Sequence, residues 1–384
     1  MRIAFYAPLK PPSHPTPSGD RRVARLLIAA LRRAGHAVEV ASALRSRDGT
    51  GDAARQRRLR ARGERTAARL IQSYARRPAG ERPDVWLTYH LYYKAPDWLG
   101  PAVTEALGLP YAIAEASHAP KRAAGQWAAG HAATEAALGR ADLVIGLNPA
   151  DADCVRPLLK PGAAVLEIKP FLDAAPFARA GAAGTACRAE LAARHGLAAD
   201  QPWLLAVAMM RPGDKAASYG VLAAALARLG DRPWRLLVVG DGPARAPIEA
   251  ALKAVASGRI AFAGAVAPSA LPAYYGAADI VVWPAINEAF GMAMLEAQAA
   301  GRPVVAGTGG GVAAIVADGE TGALVEPGDA DAFATAVARL LDDPAARQRM
   351  GAAALEAIAR EHGLDGAAAQ IDAALRALPG IAGQ

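Results

Sequence analysis

The residue types best suited to chemistry lie in residues 283–296, which read Trp-Pro-Ala-Ile-Asn-Glu-Ala-Phe-Gly-Met-Ala-Met-Leu-Glu. An apolar run predicts a strand that ends at Pro284, and Phe290-Gly291 then opens a helix whose first amides favour an anion. Glu288 on the loop and Glu296 in the helix are carboxylates that accept hydrogen bonds from hydroxyl groups. We therefore expect carboxylates and an anion site in one place.

Two cations follow another predicted strand, at Arg211 and Lys215. A sugar nucleotide needs cations and amides for its diphosphate and carboxylates for its hydroxyl groups. Cations at a leaving diphosphate act mainly on the transition state, because negative charge grows there as the glycosidic bond breaks. These residue types therefore suit a ligand that carries both a diphosphate and hydroxyl groups.

Short apolar runs that alternate with longer helical stretches must position these residues. The alternation is typical of parallel sheets covered by helices on both faces. Strands are predicted at residues 2–7, 37–41, 84–89, 111–115, 142–147, 163–168, 203–209, 234–240, 260–264, 279–284, 303–306 and 323–325. We expect two doubly wound α/β domains, whose ligands bind beyond the carboxyl ends of the strands.

The connection between the two series is predicted at residues 169–176, which are rich in proline and lack periodicity. The first strand leads into Pro8-Leu9-Lys10-Pro11 and not into a G-x-G-x-x-G fingerprint, and the sequence contains no P-loop. Nicotinamide chemistry and P-loop kinase chemistry are therefore disfavoured.

The composition is that of a globular protein, with 384 residues, 53% hydrophobic and 21% charged. Apolar runs fall short of the roughly 18 residues that cross a bilayer, and we expect no signal peptide. Cys154 and Cys187 form no C-x-x-C pair, so neither a disulfide framework nor a structural zinc site is expected. These features predict a cytoplasmic protein.

Positive charge is concentrated in the first half of the chain. Residues 1–171 contain 26 Lys and Arg against 15 Asp and Glu, and residues 172–384 contain 17 against 21. Residues 45–82 alone hold 12 arginines. This segment predicts either a solvated face or an anion-binding surface, for example on the inner face of an anionic membrane. Nucleic-acid binding is disfavoured because no aromatic residues are interleaved with the arginines.

The second half resembles the family-4 retaining glycosyltransferases of the GT-B fold. The resemblance rests on the Glu288 and Glu296 pair with Phe-Gly between them, on Arg211 and Lys215, and on Gly310-Gly311-Val312 leading into Asp318-Gly319-Glu320. It implies two facing doubly wound domains with an interdomain cleft. Residues 1–171 would form the acceptor side, residues 172–363 would bind the nucleotide sugar, and a last helix within residues 364–384 would pack back on the first domain.

The resemblance also implies roles for individual residues. Arg211 and Lys215 would stabilise the leaving diphosphate, Glu288 would contact the transferred sugar, and Glu296 would hold the ribose hydroxyls. The remaining nucleotide-sugar contacts would come from the backbone of Phe290, Gly291 and Met292 and from the pocket shaped by Gly240 and Gly242.

Two residues of the first half resemble the family's donor contacts from the opposite domain. Gly19, in Pro17-Ser18-Gly19-Asp20, stands where the family has a glycine-rich loop. A simpler interpretation is that Gly19 supplies a positive backbone dihedral at a turn. His118 follows a predicted strand and resembles the histidine that reaches the donor sugar.

The function implied is that of a retaining, metal-independent hexosyltransferase that needs no cofactor. The donor would be a UDP-sugar or a GDP-sugar, and the acceptor a glycan, a lipid or a small molecule, as in cell-envelope polysaccharide or glycolipid synthesis. Asp151-Ala152-Asp153 and Asp329-Ala330-Asp331 spell the D-x-D of metal-dependent glycosyltransferases. Each stands where a helix should begin, so we interpret them as helix caps.

Two alternatives fit the same motifs. A nucleotide-sugar epimerase of the same fold shares the diphosphate site, and conversion of the donor without an acceptor would reveal it. A non-catalytic binder of sugar nucleotides or polyanions would bind the donor tightly without turnover.

Overall fold

The computed structural model describes residues 1–16, 18–288 and 291–381. The chain forms two compact units, the first made of Met1–Lys169 with the residues from Leu364 onward and the second of Pro170–Gly363. Each unit contains a six-stranded sheet whose strand pairs are all parallel. No helix in the described ranges is both long enough and apolar enough to cross a membrane.

The sheet of the first unit has the strand order β2-β1-β3-β4-β5-β6. Its strands are β1 (Arg2–Tyr6), β2 (Ala37–Ser42), β3 (Val85–Leu91), β4 (Tyr111–Ala116), β5 (Leu143–Gly146) and β6 (Ala164–Glu167). The helices between them are α1 (Gly19–Arg33), α2 (Ala53–Ala75), α3 (Gly100–Leu107), α4 (Ala128–Leu138) and α5 (Pro149–Val155). The central strands are buried on both faces, as expected of a sheet with helices on each side.

Residues 53–75 of the arginine-rich segment form α2, which begins at an Asp52 cap. Gly63, Ala67 and Tyr74 are its buried residues, and Leu70 and Ile71 are half-buried against the same core. Its buried stripe is therefore narrow, and most of its arginines are exposed. A long helix with so little apolar contact presents a broad basic face.

The sheet of the second unit has the order β12-β11-β10-β7-β8-β9. Its strands are β7 (Trp203–Val207), β8 (Arg235–Val239), β9 (Ile260–Gly264), β10 (Ile280–Trp283), β11 (Val304–Gly307) and β12 (Gly322–Val325). The helices are α6 (Ala175–Ala182), α7 (Gly184–His195), α8 (Asp214–Leu226), α9 (Arg245–Val255), α10 (Leu271–Ala277), α11 (Met292–Ala299), α12 (Ala330–Asp342) and α13 (Pro344–Glu361).

The chain then returns to the first unit as α14 (Leu364–Arg376), which packs on α1. An ion pair joins Arg33 at the end of α1 to Asp365 of α14, with Nε 2.6 Å from Oδ1, and the buried His36 lies with its Nε2 3.0 Å from Asp372 Oδ1.

The predicted α/β fold class is confirmed, because every predicted strand is present and only the strand ends differ. The predicted helix cap at Asp329 is also confirmed: its carboxylate accepts hydrogen bonds from the amides of Asp331 and Ala332 at 3.0 and 2.8 Å. These bonds satisfy donors that the first turn of α12 leaves open.

Candidate functional site

The cation and carboxylate motifs of the second unit meet at the switch point of its sheet. β7 and β10 are neighbours there, and the sheet continues to β8 beyond one and to β11 beyond the other. Loops that leave the carboxyl ends of strands at such a point open a crevice for ligands. Lys215 follows β7 and Glu288 follows β10, so the topology brings the two side chains together.

Glu288 binds two donors through one oxygen. Its Oε2 accepts hydrogen bonds from the Lys215 ammonium and from Trp283 Nε1, the latter at 3.0 Å. Lys215 Nζ also lies 5.2 Å from the centre of the Trp283 ring, a cation–π distance. The Lys215 and Glu288 side chains are 23% and 18% exposed. The cation is therefore held on two sides and still open to a ligand.

The turn before Glu288 is fastened to α8. Asn287 Nδ2 donates to Asp214 Oδ1 at 3.1 Å, and the amide of Ile286 donates to the hydroxyl of Ser218 at 3.1 Å. Asn287 has a φ of 49°, a left-handed conformation that asparagine adopts more readily than most other non-glycine residues. Two hydrogen bonds thus connect the loop after β10 to the helix that follows β7.

Arg211 lies exposed in the loop between β7 and α8. Its side chain makes no hydrogen bond or ion pair with any residue that the structure describes. This loop carries one guanidinium without a partner among the described residues, and the first turn of α8 carries one paired cation, Lys215. The combination suits a diphosphate.

Gly240 and Gly242 let the loop after β8 approach the loop after β7. Their φ values are 146° and 153°, and a Cβ on Gly240 would lie 1.9 Å from the carbonyl oxygen of Ala208. A Cβ on Gly242 would lie 2.3 Å from the carbonyl oxygen of Met210. The structure gives both glycines a role in shaping the backbone, and their contact with a nucleotide stays a prediction.

We expect Gly240→Ala to lower the free energy of unfolding of the second unit by about 1–3 kcal/mol or more, because of steric overlap and backbone strain. Gly220→Ala is the matched control: Gly220 lies in α8, and a Cβ there meets nothing within 4 Å. This control should gain roughly 0.5–1 kcal/mol from the better helix former. Urea denaturation measures both values, and equal stability of the two variants would contradict the account.

The second glutamate lies inside α11. Gly291, with a φ of 68°, caps this helix, and Met292 is its first residue. Glu296 is only 2% exposed, so a ligand that reaches its carboxylate must replace protein contacts. The predicted contact at Phe290 lies outside the described residues.

Gly19 and His118 both belong to the first unit. Gly19 begins α1 and does not have a positive φ, so the turn-dihedral interpretation of this glycine is wrong. A Cβ there would meet nothing within 4 Å, so the neighbouring protein does not require glycine. Open space at its backbone is compatible with close approach of a ligand.

His118 is held by two residues that sequence reasoning missed. Its Nε2 lies 3.1 Å from Glu135 Oε1, and the other oxygen of Glu135 lies 3.5 Å from His131 Nδ1. The centres of the His118 and His131 imidazole rings are 4.8 Å apart. The three side chains offer ligand atoms within 4.8 Å of one another, so they form a group that could hold a metal ion. The i, i+4 spacing of His131 and Glu135 on a helix was the available signal.

The comparisons with known proteins fit this geometry. Residues 201–343 match the family model described as Glycosyl transferases group 1. The D-inositol 3-phosphate glycosyltransferase of Corynebacterium glutamicum is 44% identical over 140 residues, which cover 35% of this chain and 34% of that protein. The alpha-D-kanosaminyltransferase of Streptomyces kanamyceticus is 35% identical over 185 residues, 48% of this chain and 47% of the relative. The match thus spans a third to a half of the relatives' length.

Solved structures resemble the whole chain in fold. The sucrose-phosphate synthase of Thermosynechococcus elongatus has a TM-score of 0.73 at 24% identity, with 98% of each chain covered. The Anabaena protein Alr3699/HepE, solved in complex with UDP-glucose, has a TM-score of 0.72 at 19% identity, covering 98% of this chain and 100% of that one. The chain thus has the GT-B fold, and residues 201–343 in its second unit match the group 1 glycosyltransferases.

Proposed function

We propose that this chain is a retaining, metal-independent glycosyltransferase of family 4 that transfers a sugar from a nucleoside-diphosphate sugar to an acceptor. The observation that carries the proposal is the arrangement of Lys215, Glu288 and Trp283 at the switch point of the matched unit. An anion-binding cation and a hydroxyl-binding carboxylate lie side by side there, as a sugar diphosphate requires.

Binding of the donor would separate Lys215 from Glu288. The ammonium would move from the carboxylate to the diphosphate, and Glu288 would then accept hydrogen bonds from sugar hydroxyls. Arg211 would supply a second cation, and the first amides of α11, at Gly291 and Met292, would meet the phosphate. Glu296 would accept bonds from the ribose hydroxyls.

The chemical step would break the bond between the anomeric carbon and the phosphate oxygen. The acceptor hydroxyl oxygen would bond to the anomeric carbon on the same face, and its proton would pass to the departing diphosphate. Lys215 and Arg211 would stabilise the negative charge that grows on this leaving group. His118 would contact the donor sugar from the first unit.

A UDP-sugar is the donor we favour, because the similar Anabaena structure contains UDP-glucose. A GDP-sugar is the alternative. A thermal-shift screen of UDP, GDP and ADP and their sugars tests the choice, since a ligand at 100 times its Kd stabilises the folded chain by about 2.7 kcal/mol. Stabilisation by none of them would argue against the proposal, and conversion of the donor sugar without an acceptor would identify an epimerase.

The acceptor would be anionic or presented at an anionic membrane, which would place the chain at the cytoplasmic side. The basic face of α2 supports this inference, as does the D-inositol 3-phosphate in the name of a relative. Each arginine near an anionic surface contributes about 1 kcal/mol, screened over about 8 Å at physiological salt.

We expect replacement of Arg55, Arg57, Arg58 and Arg62 by Ser to weaken salt-sensitive binding to anionic liposomes and to leave UDP binding intact. The matched control replaces Arg194, Arg228, Arg339 and Arg360, which lie in the second unit. Co-sedimentation with phosphatidylserine vesicles measures both. Equal binding to neutral and anionic vesicles would assign the arginines to a solvated face.

A further inference from the structure

A second group of ionisable side chains lies at the switch point of the first sheet, where β1 and β3 are neighbours. His90 lies at the end of β3, Glu115 lies beside it at the end of β4, and Asp20 lies in the first turn of α1. His90 Nδ1 is 3.3 Å from Asp20 Oδ1 and 3.7 Å from Glu115 Oε1. Three elements thus converge on one imidazole.

Three buried polar atoms of this group make no well-formed hydrogen bond with any residue in the described ranges: Glu115 Oε2, the Tyr89 hydroxyl and His90 Nδ1. Glu115 is 7% exposed and Tyr89 is 1% exposed. The Tyr89 hydroxyl and the Glu115 carboxylate lie close enough for each to shift the pKa of the other. A buried acceptor without a donor is costly, and such atoms in folded proteins call for an explanation.

The backbone at this place is also unusual. His90 and Glu115 have φ values of 62° and 57°, on strands that pair directly with each other. A left-handed conformation at two non-glycine residues on neighbouring strands costs free energy, and strain of this kind is concentrated at functional sites.

Burial brings the pKa of Glu115 close to neutral pH. Burial raises the pKa of Glu115 to about 7, with His90 lowering it and the carboxylates of Asp20 and Asp151 raising it. Burial alone would lower the pKa of His90, but Glu115 and Asp20 outweigh it and the pKa lies above its ordinary value. Burial alone would raise the pKa of Asp20, but the hydrogen bond and charge of His90 and, less strongly, the charge of Lys10 hold this pKa below its ordinary value.

A surface depression at the carboxyl ends of β4 and β5 borders Glu115. It is lined by Glu115, Asn148 and Asp151 among other residues. Asn148 Nδ2 donates to Asp151 Oδ2 at 3.1 Å, so the depression also contains a polar pair.

We propose that Glu115, with His90 and Tyr89, binds hydroxyl groups of the acceptor, which we infer to be a sugar or another polyol. A hydroxyl group both donates and accepts, so a polyol can satisfy Glu115 Oε2 and the Tyr89 hydroxyl together. The three carboxylates around His90 disfavour a phosphate at this point. The inference rests on the proposed function, which assigns the acceptor to the first unit.

The test measures binding of two neutral probes, myo-inositol and glucose, to the full chain by saturation-transfer NMR across a pH series. An ionised carboxylate is the stronger acceptor, so binding should tighten as pH rises through about 7, the pKa of Glu115. Between about pH 6 and pH 8 the ionised fraction, and with it the affinity, should rise roughly tenfold.

Three variants make the result specific. Glu115→Gln should bind weakly at every pH. His90→Asn removes the imidazole that lowers the pKa of Glu115 and keeps a residue that tolerates positive φ, so the midpoint of the pH curve should move to higher pH. Glu105→Gln, at an exposed glutamate of α3, is the control. Its binding of both probes should depend on pH in the same way as that of the unchanged chain.

Absent or pH-independent binding of both probes to the original chain would overturn the inference, as would an unchanged midpoint in His90→Asn. UDP binding measured on the same samples separates the two proposals. Failure of the chain to bind UDP would count against the proposed function, whereas retained UDP binding with no polyol binding would count against this inference alone.

Discussion

Lys215→Ala is expected to lower the turnover of donor by roughly 10²–10³-fold, the loss typical of removing one preorganised electrostatic contact. The reason is that Lys215 would stabilise charge that appears on the diphosphate only as the glycosidic bond breaks. The side chain is 23% exposed and partly solvated, so the fold should survive its removal. Steady-state kinetics at saturating donor measure the effect.

Lys253→Ala is the control for this experiment. Lys253 Nζ also pairs with a glutamate, Glu249, at 3.1 Å, but it lies on α9 and is 58% exposed. The Lys253→Ala variant should turn over donor at the rate of the unchanged chain. Near-normal turnover of Lys215→Ala at saturating donor would remove Lys215 from the proposed chemistry.

We expect variants of the two glutamates to lose different properties. Glu296→Gln should weaken binding of the free nucleoside diphosphate by about 1.5–3 kcal/mol, because a charge-assisted contact with the ribose is lost. Glu288→Gln should lower sugar transfer and leave the affinity for the free nucleotide nearly unchanged. Glutamine keeps the side-chain shape, which matters at Glu296 because that residue is 2% exposed. Calorimetry with UDP and initial-rate kinetics give the two quantities.

Glu249→Gln, on α9, controls for loss of a carboxylate elsewhere in the same unit. Equal losses of UDP affinity at Glu288 and Glu296 would contradict the division of roles.

The sequence predicts the fold well because its signals are local. Apolar strands buried on both faces appear as short continuous runs, and helix caps such as Asp329 are visible before the helix begins. Placing Lys215 and Glu288 after two strands was enough to predict that they share an edge of the sheet, since parallel strands present their carboxyl ends together.

The contacts within the site depend on tertiary structure and were not predicted. Nothing in the sequence shows that Trp283 donates to Glu288 or that Asn287 adopts a left-handed backbone. The same is true of His90 and Glu115, whose positive φ values arise from the packing around two strand ends and not from residue type. At Gly19 the sequence led to an incorrect expectation: a glycine suggested a positive φ at a turn, and the structure has no positive φ there.

The most direct test of the central claim is real-time proton NMR of UDP-glucose with the full chain in the presence of a chelator. Water can replace the acceptor, so hydrolysis reports the chemistry of the donor site before an acceptor is known. The account predicts release of UDP without added metal and glucose that first appears as the α anomer, the configuration it has in the donor. First appearance of the β anomer, or turnover only with a divalent metal, would contradict it.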